Sequence, residues 1–122
     1  MRANVVMDVA DLADELGRTD LAWQRAREAL RLCREVGDRQ LTVYALALLA
    51  RFAAAAGQAE RAGRLWGAIE SEEARGPVGQ WEREREQIAS TVVMPSPQFE
   101  SGRSTGRSLS LDEAVEYALG ED

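Results

Sequence analysis

Residues 49–69 read LARFAAAAGQAERAGRLWGAI, and residues 9–29, which lie 40 positions earlier, read VADLADELGRTDLAWQRAREA. Both stretches carry small residues on one helical face, then a glycine, and then a small residue five positions after that glycine. Gly17 and Gly57 are the two glycines, and the left-handed residue that ends a helix is usually glycine because a Cβ is costly there. Each stretch therefore predicts a hairpin of two closely packed antiparallel helices, and the 40-residue shift predicts that the hairpin is repeated.

The rest of the chain continues this pattern of helices and turns. Apolar residues recur at helical spacing over about 3–16, 20–36, 39–56 and 58–74. The pattern predicts an all-α chain of tetratricopeptide-like antiparallel hairpins, stacked as a short right-handed solenoid of about six to seven helices. We expect a single domain over residues 1–122, with repeats at about 3–36 and 43–76, a degenerate repeat at 77–106 and a capping helix at 110–119.

Polar residues and prolines mark where several helices begin and end. Thr19 and Asp38 are predicted as the N-caps of the second and third helices. A charged fifth helix is expected to begin near Trp81, after the break at Gly76 and Pro77, and to end before Pro95.

The end of the chain carries two further start signals. Ser96 and Pro97 predict the N-cap and first residue of a short sixth helix through Phe99. This helix is expected to be weak and mobile because two glycines, Ser104 and Thr105 follow at 102–106. A capping box predicts a last short helix, because the residue three positions after Ser110 is a glutamate, Glu113.

Large apolar residues at these spacings predict the core, and the set is Trp23, Leu49, Phe52, Trp66 and Ile69. Cys33 lies on an apolar helix face and is predicted to be a small core residue. The three tryptophans also allow a ligand pocket, but aromatic residues on apolar helix faces are more often core residues.

Composition excludes several kinds of chemistry. The chain has no histidine and one cysteine, so it lacks a His general base, a Ser-His-Asp triad, a His metal ligand, an intramolecular disulfide and a Cys-rich zinc site. The net charge is −6, and most arginines alternate with glutamates along the helices, which is typical of a solvated face rather than of a nucleic-acid interface. We expect no enzyme activity, no cofactor, no metal site and no direct contact with nucleic acid.

Three local features have alternative interpretations. Residues 102–106 resemble a phosphate loop only superficially, because the GxxxxGK[ST] pattern and its lysine are absent. The acidic run Glu70, Glu72 and Glu73 is predicted to be a solvated helix end rather than a cation site. The apolar run from Val43 is interrupted by Arg51 and is shorter than the roughly 20 residues of a membrane span. Because no signal peptide is visible either, we expect a cytoplasmic chain with no membrane partner.

Two segments carry a resemblance to a known module. Residues 57–70 follow the pattern G-x-x-x-R-A-A-R-L-L-G-A-A-E, with Gly63, Trp66 and Ile69 in place of an alanine, a leucine and an alanine. Residues 99–119 follow F-x-x-x-x-x-x-G-R-x-L-x-L-x-E-A-V-x-x-A-L, and the matching residues are Phe99, Gly106, Arg107, Leu109, Leu111, Glu113, Ala114, Val115, Ala118 and Leu119. Over about residues 40–119 the chain resembles the C-terminal tetratricopeptide-like region of actinobacterial LuxR-type transcriptional regulators and related STAND-class signalling ATPases.

This resemblance implies a regulatory role. In such proteins the ATPase and the DNA-binding helix-turn-helix lie elsewhere, and the helical repeats sense an inducer or hold a partner. We therefore expect a non-enzymatic protein-interaction or sensor module of a bacterial transcriptional or signalling regulator. Its partner is expected to be a protein or peptide, which includes other domains of a parent regulator.

The repeat register predicts a groove along the inner helices, lined by Asn4, Met7, Asp11, Asp14, Tyr44, Ala47, Arg51 and Ala54. Carboxylates at Asp8, Asp11, Asp14 and Glu15 favour a peptide that bears Arg or Lys, with an apolar side chain anchored near Tyr44 and Leu48. The alternative is that these carboxylates only solvate the first helix and support its dipole.

Two rival functions and one assembly remain open. The first rival is a small-molecule effector site between the helices, lined by Tyr44, Phe52 and Trp66. The second is a structural cap that ends a longer repeat array. A symmetric homodimer is also expected if the apolar surface at Val5, Val6 and Val9 is bare.

Overall fold

The computed structural model describes residues 17–120, and in this part of the chain it contains six α-helices and no β-strand. The helices are α1 (Thr19–Val36), α2 (Arg39–Ala55), α3 (Ala59–Glu73), α4 (Trp81–Val92), α5 (Pro97–Gly106) and α6 (Leu111–Ala118). The all-α prediction is confirmed for these residues. The helix predicted over about 3–16 lies outside them.

Three glycines punctuate the first half of this fold at intervals of 20 residues. Gly17, Gly37 and Gly57 have φ angles of 76°, 76° and 79°. Nothing lies within 4 Å of a Cβ built at any of them, so the left-handed backbone rather than a shortage of space requires glycine. The turns that separate α1, α2 and α3 are therefore encoded locally, as the sequence predicts.

The predicted caps agree with the structure at all but one position. The side chain of Asp38 accepts a hydrogen bond from the Leu41 amide at 3.0 Å, and Ser96 caps α5 with Pro97 in its first turn. Ser110 and Glu113 form the predicted capping box. The prediction for Thr19 is wrong, because α1 begins at Thr19 itself and Arg18 occupies the N-cap position without a side-chain hydrogen bond.

The centre of the core is α2, which packs against α1, α3, α4 and α6. Ten of its 17 residues are buried, and this explains why its sequence is apolar nearly all round. Four of the five predicted core residues are fully buried: Leu49, Phe52, Trp66 and Ile69. Cys33 is also buried, as predicted. The fifth, Trp23, is only half-buried and meets Phe52 edge-on, with 6.4 Å between ring centroids.

Among the six described helices, α3 and α5 approach each other most closely, and four glycines permit this approach. A Cβ built on Gly63 or Gly67 would overlap the carbonyl oxygen of Phe99 or Arg103 in α5. A Cβ on Gly102 or Gly106 would overlap the carbonyl oxygen of Glu60 or Arg64 in α3. The two helices therefore meet backbone to backbone, as helices with two glycines four residues apart can do.

This contact corrects the prediction for the sixth helix of the chain. A weak helix through Phe99 was expected because glycine costs about 1 kcal/mol in a helix interior relative to alanine. Instead α5 runs for ten residues to Gly106. Gly102 and Gly106 lower the intrinsic helix propensity, but they also permit the contact with α3, and tertiary packing outweighs propensity here.

Candidate functional site

The described part of the predicted groove lies along α2. Tyr44, Ala47, Arg51 and Ala54 follow one another at spacings of three or four residues, which places them on one face of the helix. Tyr44, Arg51 and Ala54 are half-buried, whereas Ala47 has no exposed surface. Asn4, Met7, Asp11 and Asp14 lie outside the described residues, so the groove as a whole stays a prediction.

Aromatic residues support this face of α2 from the side of α4. The ring of Tyr44 lies edge-on to Trp81, with 6.4 Å between centroids, and Trp81 lies edge-on to Trp66 at 6.1 Å. The guanidinium of Arg51 lies 5.5 Å from the centroid of the Phe52 ring. Phe52 and Trp66 are fully buried, so in this conformation neither offers surface to the small-molecule effector of the rival hypothesis.

A row of carboxylates near the end of α3 takes part in several ion pairs with other helices. We call Glu70, Glu72 and Glu73 the carboxylate row. Arg103 binds both carboxylate oxygens of Glu70. Its Nε donates to Oε1 at 2.7 Å, and its Nη2 donates to Oε2 at 2.5 Å. Arg107 Nη2 lies 3.2 Å from Oε1 of the same carboxylate. Such two-point pairing between arginine and carboxylate is the stronger and more specific kind of ion pair.

This pairing changes the ionisation of both partners. Burial raises the pKa of Glu70, but the hydrogen bonds and positive charges of Arg103 and Arg107 outweigh burial and hold that pKa below its ordinary value. The hydrogen bond to Glu70 raises the pKa of Arg103. Glu70 is therefore a fixed anion at neutral pH and a poor candidate for proton transfer.

The other two carboxylates also have cationic partners. Arg39 donates to the side chain of Glu72, which is only 4% exposed, and also to the carbonyl oxygens of Glu72, Gly76 and Pro77. Glu73 accepts from Arg85 Nε at 2.6 Å and from the indole nitrogen of Trp81 at 2.9 Å. The prediction of a solvated helix end is wrong, because arginines from three other elements converge on the row.

Cys33 and the acidic side chains are the groups to consider for reactivity or metal binding in the described part of the chain. Burial, reinforced by the nearby charge of Asp38, raises the pKa of Cys33 to about 11, so its thiol is protonated at neutral pH. Over residues 17–120, no group of three or more cysteine, aspartate or glutamate side chains is arranged to hold a metal ion. None of the six helices is long and apolar enough to cross a membrane.

The two segments that resemble the regulator module contact each other. Gly67 packs on Arg103 and Gly106 packs on Arg64, while Arg107 pairs with Glu70. At the far end of the contact, Arg61 Nη2 donates to the carbonyl oxygen of Ala118 at 3.2 Å. The signal in the sequence that joins the two segments is the matching four-residue spacing of Gly63 with Gly67 and of Gly102 with Gly106.

Comparisons with protein-family models, with curated proteins and with solved structures give no match to this chain.

Acid should weaken the fold partly through Glu70. Its pKa is lower in the folded chain than the ordinary value of 4.5, so its contribution to stability is present above that value and is lost as the pH falls through the folded-state pKa. We expect Glu70→Gln to lower the free energy of unfolding by about 1–3 kcal/mol at pH 7. The difference between the variant and the wild type should shrink below pH 4.5 in urea titrations.

The matched control for this prediction is Glu84→Gln, which removes an exposed carboxylate from the outer face of α4. It should change stability by less than about 0.5 kcal/mol at any pH. A Glu70→Gln deficit that stays constant between pH 7 and pH 3 would show that the ionised carboxylate is not what stabilises the contact.

Proposed function

We propose that this chain is a non-enzymatic protein-interaction or sensor module of a bacterial transcriptional or signalling regulator. The observation that carries the proposal is the contact between the two segments that resemble the regulator module. Gly67 and Gly106 bring α3 and α5 together, and Glu70 pairs with Arg107, so residues that define the resemblance act as one structural unit. We place the module in the cytoplasm as part of the same proposal.

The arrangement of the helices supports a tetratricopeptide-like stack. A two-residue gap that contains Gly37 separates α1 from α2, and a three-residue gap that contains Gly57 separates α2 from α3. α2 packs on both of these neighbours and on α4. This order agrees with successive antiparallel hairpins, each packed on the next. One element departs from a simple stack, because α6 returns to pack on α1, α2 and α3.

The proposed groove follows the partly exposed face of α2 that carries Tyr44, Arg51 and Ala54. Tyr44, Arg51 and Ala54 retain partial exposure there, and Tyr44 is held from behind by Trp81. Together with the acidic residues at positions 8–15, this face suits a peptide that carries Arg or Lys and an apolar anchor. A half-buried, rigid aromatic ring is a frequent anchor point at protein interfaces.

Selection of peptides on the whole chain tests this function. We expect a displayed library of random peptides to yield basic sequences with one large apolar residue. Raising the salt from about 0.05 to 0.5 M should weaken their binding several-fold, because screening then shortens to a few ångströms. In fluorescence anisotropy, Tyr44→Ala and Asp11→Asn should each weaken binding, whereas Glu84→Gln on the outer face of α4 should not.

The opposite pattern would contradict the groove. If neither salt nor Tyr44→Ala nor Asp11→Asn changes the affinity of the selected peptides, these peptides must bind elsewhere on the protein. If the selection enriched no peptide more strongly on the wild type than on the Tyr44→Ala variant, the interaction function itself would be contradicted.

A further inference from the structure

The last helix is held in place by residues far from it in sequence. α6 packs on α1, α2 and α3, and its inner side is fully covered, with Ala114, Val115, Ala118 and Leu119 at most 1% exposed. An isolated helix of eight residues is not stable in water. The surface that receives α6 is therefore what makes this segment helical.

Arginines of α1 and α3 complete that surface. Arg27 donates to the carbonyl oxygen of Leu119, and Arg61 donates to that of Ala118, so both cations lie at the negative end of the α6 dipole. The ring of Tyr117 lies 5.1 Å from the guanidinium of Arg61 and 4.6 Å from that of Arg64. We call these three arginines, with the apolar surface of α1–α3 that covers α6, the α6 seat.

The connector between α5 and α6 is short and mostly exposed. It spans residues 107–110, of which Arg107, Ser108 and Ser110 are exposed and Leu109 is half-buried. The described hydrogen bonds of Ser110 serve the capping box within α6 itself. The contacts with the seat are therefore made by α6 and its C-cap, while the connector adds the packing of Leu109 on the core and the ion pair of Arg107 with Glu70.

Open space lies beyond both ends of the seated helix. A cleft of about 420 Å³ borders Ser110, Leu111 and Asp112 at the start of α6, and Cys33 and Arg34 also line it. A second cleft of about 410 Å³ borders Gly120 at the other end, with Trp23, Arg27 and Arg61. The first cleft leaves room for a connector to enter along a different path.

We propose that the α6 seat is a docking site for the α6 helix of a second copy of this chain, so that two copies exchange their last helices. Each copy then supplies the four apolar residues and the terminal carbonyls that complete the seat of the other. At low concentration the helix of the same chain wins, because the short connector gives it a high effective concentration. Exchange becomes dominant when the connector is too short to turn back.

Shortening the connector tests the exchange in the full-length chain. Deletion of Arg107 and Ser108 removes about 7 Å of reach. We expect this variant to have twice the mass of the wild type in light scattering at roughly 100 μM, a concentration about 100-fold above a micromolar dissociation constant. The amides of α6 should remain protected from hydrogen exchange, because the helix is seated in the partner copy.

Two controls isolate the cause. Arg107→Ala removes the ion pair with Glu70 and keeps the connector length, and insertion of Gly-Ser after Ser108 lengthens the connector. Both should keep the mass of the wild type. A folded deletion variant that also keeps this mass would overturn the proposal, whether or not α6 is protected.

A second measurement covers the case in which the deletion variant does not fold. The wild type is refolded from urea at about 1 mM and at about 10 μM. The first concentration is well above the dissociation constant of a typical weak complex, and the second is near it. Exchange predicts a larger species, formed only at the higher concentration, that persists after dilution. Identical mass after both refolding reactions would overturn the proposal.

Discussion

Gly67→Val is expected to lower the free energy of unfolding by about 3 kcal/mol or more, at the upper end of the usual cost of overpacking. A Cβ at this position would overlap the carbonyl oxygen of Arg103 and lie 2.9 Å from its carbonyl carbon. The obstacle is backbone, so a side-chain rotation cannot relieve it and α5 must move away from α3. Urea denaturation followed by circular dichroism measures the loss.

The matched control for Gly67→Val is Ser104→Val on the exposed side of α5. It introduces the same β-branched side chain into a helix without a tertiary contact, and its cost should be about 0.5 kcal/mol or less. If Gly67→Val were as mild as Ser104→Val, the close approach of α3 and α5 would be contradicted.

Trp66→Ala should cost about 3–5 kcal/mol, because it removes one of the largest fully buried side chains from the core. The Trp66 ring meets Trp81 edge-on at 6.1 Å, and the guanidinium of Arg85 lies 5.3 Å from its centroid. The variant leaves a cavity between α3 and α4, and it also removes a cation–π contact.

Trp23→Ala provides the comparison for Trp66→Ala, since Trp23 is only half-buried. Its removal should cost less than the removal of Trp66, measured in the same denaturation series. A loss well under 1 kcal/mol for Trp66→Ala would show that this residue lies outside the core.

Local features of the fold were predictable because the sequence near each feature determines it. Gly37 and Gly57 signal left-handed turns. Asp38, Ser96 and Ser110 signal helix starts, because each side chain caps a backbone amide only three residues further along the chain. Thr19 shows the limit of this reasoning, because a good capping residue can instead become the first residue of the helix. Such one-residue shifts are common at helix ends.

Long-range features were not predictable from the same signals. Glu70 and Arg103 are 33 positions apart, and nothing near Glu70 indicates that an arginine of a later helix will reach it. The acidic run was therefore predicted to be solvated. The length of α5 was underestimated for the same reason, since Gly102 and Gly106 disfavour a helix unless Gly63 and Gly67 lie opposite them.

The candidate groove was predicted only in part. The four positions on α2 share a face because helical periodicity requires it, but their exposure depends on what packs on that face. Ala47 is fully buried, whereas Tyr44, Arg51 and Ala54 keep partial exposure. Periodicity identifies a face and cannot identify how much of it remains open to a partner.

α3 and α5 meet backbone to backbone and so join residues 57–119 into one unit. The most direct measurement is the nuclear Overhauser effect between the α protons of Gly67 and Arg103 in solution. The structure predicts a cross-peak for this pair and another between the α protons of Gly106 and the amide proton of Ala68, because a Cβ on Gly67 would lie 3.1 Å from the Arg103 Cα and a Cβ on Gly106 would lie 2.9 Å from the Ala68 nitrogen. If neither cross-peak were present and the α5 amides exchanged as fast as an unfolded chain, the weak helix that local propensity predicts would be correct and the close contact would not exist.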